Sequence, residues 1–177
     1  MKIQIRNGVF ETNSSSTHAL CVAKEMPDMT KVKNKQLVFK HKGFGWQFKE
    51  LHDVESRASY LYEALLDYKS DYPDAINWIY ETLGKYGIEA SFEIEYEDEF
   101  DRWVGGIDHS EGLVSFLSYV MRNENHLIKW LFGNSLIITG NDNGDEFNDR
   151  VYMYDKEDDH YVLKPEFRKY KFFEKGN

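Results

Sequence analysis

Residues 11–18, ETNSSSTH, place a carboxylate, an amide, five hydroxyls and an imidazole between two apolar segments. Ser14, Ser15, Ser16 and Thr17 offer hydroxyl and main-chain donors of the kind that hold phosphate oxygens in concave runs of backbone amides. The stretch is not a P-loop, because it has no glycine framework and no following lysine. If a strand begins near Ser16, its two-residue period puts Ser16 and His18 on one side and Thr17 on the other. A hydroxyl beside an imidazole is the start of a nucleophile–base pair, which a carboxylate such as Glu11 or Asp108 would orient. The competing expectation is structural: Ser and Thr side chains bonding their own backbone in a turn.

Two further polar clusters lie at the ends of expected elements, where a rigid scaffold displays functional loops. In GGIDHSEG, residues 105–112, Asp108 and His109 precede a helix that Ser110 is expected to cap, so backbone donors and the positive helix end favour an anion. In TGNDNGDEFND, residues 139–149, the acids invite a calcium reading. Setting Gly144 at the sixth loop position puts Thr139 first and Arg150 twelfth, where acidic ligands are required, so an EF-hand is rejected. Asn143-Gly144 instead reads as a hairpin turn. Asp142, Asp145, Glu146 and Asp149 read as solvated, leaving at most a loose Mg²⁺ site on Asp142 or Asp145; no other cofactor or metal is expected.

RNGVFETNSSSTH, GGIDHSEG and ITGNDNGD together resemble the motifs of an uncharacterised family of Gram-positive bacterial and phage proteins, whose N-terminal signature is of the VFETNSSSTH type. The resemblance covers three short blocks and not the helices between them. It implies that Arg6, Glu11, Asn13, Ser14, Ser15, Ser16, His18, Asp108, His109, Asn141 and Asp142 belong to one shared feature. It also implies a phage or mobile-element context, in which small proteins often disarm host defences.

The chain has 177 residues, which fits one domain on a prior of about 150 residues each, with a C-terminal tail from about residue 165 that either docks or stays mobile. Hydrophobic residues at 41% supply a core. Met1 leads into KIQIR without a charged-then-apolar leader, and no apolar run reaches the ~20 residues that cross a bilayer, so a soluble, cytoplasmic protein is expected. Cys21, the lone cysteine, sits in the apolar run ALCVA and reads as a buried structural thiol. A net charge of −9 argues against direct binding to nucleic acid or an anionic membrane. The charge is bipolar: residues 24–49 carry seven lysines against two acids, and residues 89–101 carry seven acids and no base.

Apolar periodicity supplies the scaffold. Ile3 and Ile5 alternate as in a strand, HALCVA reads as a second strand and QLVFK as a third. Val54, Ala58, Leu61, Tyr62, Leu65 and Leu66 recur at helical spacing, and a second helix runs from Asp71 and Pro73 to a stop at Gly87, so the two should pack as a hairpin. Residues 88–97 form an alternating strand with Ile88, Ala90, Phe92, Ile94 and Tyr96 on one face. A helix bearing Leu113, Phe116, Leu117 and Val120 follows, then a shorter one from Asn123 or Asn125 to Gly133. SLIIT and RVYMY read as strands around a ten-residue loop, with HYVLK a further strand. The pattern predicts a single-domain α+β fold: a mixed or mainly antiparallel sheet with a helical hairpin and a second helix pair.

Two functions are expected from different classes. In the first, the three polar clusters converge on a site for a phosphate-bearing or nucleotide-like ligand, with Ser16, His18, Asp108 and His109 as the groups that would hydrolyse or transfer it. In the second, Glu89, Glu93, Glu95 and Glu97 present an acidic face to the basic groove of a host defence protein, as a nucleic-acid mimic. Alternate strand positions repeat every ~6.6 Å, close to the ~7 Å axial spacing of alternate phosphates on one DNA strand.

Overall fold

In the computed structural model, residues 16–93, 106–108, 112–141 and 145–175 are described. The expectations placed on Ile3, Ile5, Arg6, Glu11, Asn13, Ser14, Ser15, Glu95, Glu97, His109, Ser110, Asp142 and the Asn143-Gly144 turn lie outside them.

The described residues contain ten strands and five α-helices, and they form an α+β fold. Its frame is a four-stranded antiparallel sheet built from β1 (Ser16–Ala23), β4 (Lys49–Leu51), β7 (Leu136–Asn141) and β10 (Tyr170–Lys175), in the order β10-β1-β7-β4. All eight residues of β1 are buried. A strand covered on both faces has no need of alternating hydropathy, which is why ALCVA is a continuous apolar run. Leu20 and Val22 face the main core, while Ala19 and Cys21 face a second, smaller one with Leu136, Ile138, Phe147, Val151 and Phe167. Burial pushes the Cys21 thiol up to about 12, in keeping with an inert thiol.

Two short parallel ladders flank the frame. β2 (Gln36–Phe39) pairs with β5 (Glu89–Phe92), and β3 (Gly43–Phe44) pairs with β6 (Gly106–Ile107). Between β4 and β5 run α1 (Val54–Asp67) and α2 (Ala75–Lys85). Asp53 caps α1, accepting from the Ser56 N–H at 2.7 Å. α2 ends in a Schellman turn: Gly87 at φ +68° lets the Gly87 and Ile88 N–H groups reach the Gly84 and Leu83 carbonyls. The two helices are held by different partners, α2 by β5 and α1 by β2, β6 and the pair α3 (Val114–Val120) and α4 (Glu124–Phe132). α1 is fastened to α4 by the buried Arg57, whose guanidinium donates to the carbonyls of Leu131, Ser135 and His52 at 2.6–3.1 Å.

Two expectations are corrected. Residues 140–149 were expected as a loop, but Asp145–Val151 is a helix, α5, and the strand starts only at Tyr152. Asp145 and Glu146 suit the positive helix end, and Phe147 and Val151, four apart, are both buried. The following strand, β8 (Tyr152–Asp155), pairs with β9 (His160–Leu163) and not with β7, so no β7–β8 hairpin forms. The basic, aromatic tail docks: residues 165–169 form a 3₁₀ turn and β10 completes the main sheet, with Phe172 packed on the small core and Phe173 on the large one.

β7 and α5 touch at Gly140, where an added Cβ would lie 2.6 Å from the Phe147 Cβ. Gly140→Ala is therefore expected to lower the unfolding free energy by ~1–3 kcal/mol through overpacking. Denaturant unfolding of the variant checks this.

Candidate functional site

Strand pairing carries the polar clusters to one place. Ser16 is the register partner of Asn141, so the end of the first cluster meets the start of the third. The Ser16 hydroxyl donates to the Asp108 carbonyl at 2.6 Å, which brings in the second. A residue from a fourth segment closes the junction. The Lys175 ammonium, buried at the end of β10, donates to the Ser16 carbonyl at 2.6 Å, the Ser16 hydroxyl oxygen at 2.7 Å and the Asp108 carbonyl at 2.6 Å. Thr17, on the opposite face of β1 as the period requires, donates to the Lys175 carbonyl at 3.2 Å. A buried ammonium is tolerable only when its N–H groups find such acceptors.

Ser16 and His18 do share a face of β1, but they serve different partners. His18 Nδ1 lies 2.9 Å from the Tyr60 hydroxyl and Nε2 lies 3.2 Å from the Gly45 carbonyl. A carbonyl can only accept, so Nε2 carries the hydrogen, and Tyr60 donates to Nδ1. Burial first, and then repulsion by Lys175, hold the imidazole pKa down to about 3, with the Gly45 carbonyl opposing. The ring is thus neutral, with both nitrogens engaged. Asp108 takes part through its main chain, its N–H donating to the Phe44 carbonyl at 3.0 Å.

These bonds hang a loop on the junction. Residues 43–49 are fixed by the Phe44–Ile107 register of β3 and β6, by His18 on Gly45, and by the Thr139 hydroxyl donating to the Gln47 carbonyl at 2.6 Å. The approach to the loop is anchored from α1, where the buried Glu63 carboxylate accepts from the Lys42 N–H at 2.8 Å and from His41 Nδ1 at 3.2 Å. Burial raises the Glu63 pKa. The loop borders an open cavity of about 290 Å³ lined by Lys42, Phe44, Trp46, Gln47, Lys49 and Leu51, among others. Lys42 and Lys49 are exposed, and the Trp46 indole is 56% exposed. Glu50, the neighbouring acid, is engaged by Arg150 at 2.6 Å.

Sequence reasoning missed Lys175, Trp46 and the loop that carries it. KHKGFGWQFK, residues 40–49, interleaves cations and aromatics, and that alternation was the available signal. Lys175 had no such signal, since its partners come from residues 16 and 108. Of the acidic face, Glu89 and Glu93 are exposed; Glu89 accepts from Gln36 Nε2 at 3.4 Å and Glu93 from the His41 N–H at 3.0 Å. Asp145, Glu146 and Asp149 are exposed, as expected, and among the described residues no three His, Cys, Asp or Glu side chains cluster as metal ligands.

Two outcomes follow from the junction. Lys175→Met removes the ammonium from three buried oxygens, of which the Asp108 carbonyl keeps the Ser16 hydroxyl as a donor, and is expected to cost ~2–4 kcal/mol of stability in denaturant unfolding. The His18 pKa is lowered on folding, so its contribution is fully present above pH ~6.5 and is lost as pH falls toward about 3. Stability should fall over that window by an extra ~2–4 kcal/mol relative to His18→Gln, whose side chain does not titrate. Equal slopes in urea unfolding at stepped pH would contradict this assignment.

No protein-family model matches the chain, and neither a curated protein nor a solved structure does so.

Proposed function

We propose that the protein binds a phosphate-bearing, nucleotide-like ligand in the cavity of the 43–49 loop. The observation that carries this reading is the pairing of an exposed indole with two lysines around one cavity, on a loop hydrogen-bonded to the junction of the polar clusters. Trp46 offers a face on which a base stacks, worth ~1–3 kcal/mol by truncation. Lys42 and Lys49 supply the charge for phosphate oxygens. Ser16 and His18, fully buried beneath, act as the support that fixes the loop, and the reading includes no covalent step.

The second reading, an acidic counter-defence inhibitor, draws on the exposure of Glu89 and Glu93. It takes second place because Glu95 and Glu97, the rest of that face, lie outside the described residues. The family resemblance adds a phage or mobile-element setting to either reading.

Calorimetric titration with a nucleoside triphosphate, a nucleoside, and inorganic phosphate tests the first. Saturable triphosphate binding is expected, weakened at least about fivefold in Trp46→Ala and losing salt dependence in Lys42→Ala with Lys49→Ala. Glu89→Gln with Glu93→Gln should leave it unchanged. An absence of binding to all three ligands by the folded wild type would end this reading.

A further inference from the structure

The β8–β9 hairpin is inserted between two strands of the main sheet, yet it pairs with neither of them. Its base belongs to the small core: Tyr152 and Leu163, a register pair, pack there, and the Lys164 N–H closes on the Val151 carbonyl at 3.0 Å. Its outer half does not. Tyr154 and Tyr161 are directly opposite one another, with ring centroids 5.4 Å apart, and are 46% and 67% exposed; Met153 is 44% exposed. The cross-strand tyrosine pair stabilises the hairpin itself. It does not account for Met153, whose neighbour across the ladder is Val162 and which lies on the other face. Beyond the tyrosines, residues 155–159 carry four carboxylates against Lys156.

Large apolar side chains exposed in a group mark interaction surfaces, whereas single ones need no explanation. Among the described residues nine large hydrophobics are exposed, and four of them fall in two patches: Tyr154 and Tyr161 on one face of the hairpin, with Met153 on its other face, and Trp46 and Phe48 on the cavity loop. The two patches have opposite charge. The hairpin ends in acids, and the loop is flanked by Lys42 and Lys49, with Glu50 already bridged to Arg150. Each is the complement of the other, and among the described residues both are exposed.

We infer that the acidic, tyrosine-bearing β8–β9 hairpin of one copy docks on the Lys42–Trp46–Lys49 face of a second copy. Tyr161 meets the Trp46 indole, and the carboxylates of Glu157 and Asp158 meet the two ammonium groups. Aromatic anchors within a charged rim are the usual anatomy of an interface. The net charge of −9 on each copy opposes association at long range, but at physiological salt that repulsion is screened beyond ~8 Å, so the local pattern decides. A contact made by a few aromatic and charged side chains is a weak, salt-sensitive one. The inference holds whether or not the cavity accepts a nucleotide; if it does, the ligand and the hairpin compete for one face.

Sedimentation equilibrium over a concentration series, without ligand and at low and high salt, is the test. The wild type is expected to exceed monomer mass at low salt and to dissociate at high salt, with Tyr161→Ala weakening association at least about tenfold. Two charge-reversed variants decide the pairing. Lys42→Glu with Lys49→Glu makes both surfaces acidic, and Glu157→Lys with Asp158→Lys makes both basic. Each should be monomeric alone, and their mixture should associate. A wild type that stays monomeric throughout, or a mixture that fails to associate while the wild type does, overturns the inference. The Tyr161→Ala protein, with its cavity intact, then serves in the nucleotide titration, so the two readings fail separately.

Discussion

A cation removed from water must be surrounded by oxygen, and that constraint organises this molecule around Lys175. Its ammonium takes the carbonyl and hydroxyl of Ser16 and the carbonyl of Asp108. The lysine comes from one end of the chain and its acceptors from the other end and the middle, so β10, β1 and the segment after β6 are fixed relative to one another. A buried donor set of this kind stabilises little relative to a well-packed apolar alternative, but its geometry is unforgiving, because leaving any partner unpaired is costly. Arg57 does the same between α1 and α4, in its case through main-chain carbonyls. Both buried cations therefore serve as joints between elements that β-pairing alone would leave unconnected.

From the joint at Lys175 the structure reaches outward in one direction. His18, two residues along β1, is neutral and bonded at both nitrogens, and one of those bonds holds Gly45. Thr139 on the next strand holds Gln47. The cavity loop is thereby hung from two adjacent strands of the main sheet, and its exposed indole and lysines are presented from a rigid base. Pre-positioning of this sort matters for a small ligand, since ordering a free loop on binding would consume much of what stacking supplies. The cluster of hydroxyls that first draws the eye in the sequence thus ends, at Ser16 to His18, as buried support for a surface formed elsewhere.

The surface itself is segregated by charge. The basic, aromatic loop and the acidic, aromatic hairpin each leave large apolar side chains in water, a solvation cost that the Tyr154–Tyr161 ring contact offsets in part on the hairpin. The exposed side chains sit at the outer parts of these two elements, while Phe44 of the loop packs in the large core and Tyr152 and Leu163 at the hairpin base pack on the small one.

Most of the scaffold is legible in the sequence because it follows from periods. The α1 span, the Asn123 cap, the Gly87 stop and the apolar run of β1 each express a local rule of helix or strand geometry and stand where expected, whereas α2 begins at Ala75 and not at Asp71, and buries Ala75, Ile79, Thr82 and Leu83 with Ile76 and Tyr80 exposed. Length, charge and the α+β order of elements are likewise properties of the chain alone. Local rules fail where an element is short and charged, as in α5, whose two buried apolar residues are outnumbered by acids. They fail again at β10, where FF places one ring on each face and only a neighbouring strand makes that useful. The sequence also brings out Ser16, Asp108 and Asn141 as polar residues at element ends, and their motifs suggest one shared feature, but not how they meet. Their meeting is set by the antiparallel register of β1 and β7 and by a lysine 159 positions away from Ser16. Contacts at such separations depend on loop closures and pairings summed over the whole fold, and no window of residues encodes them.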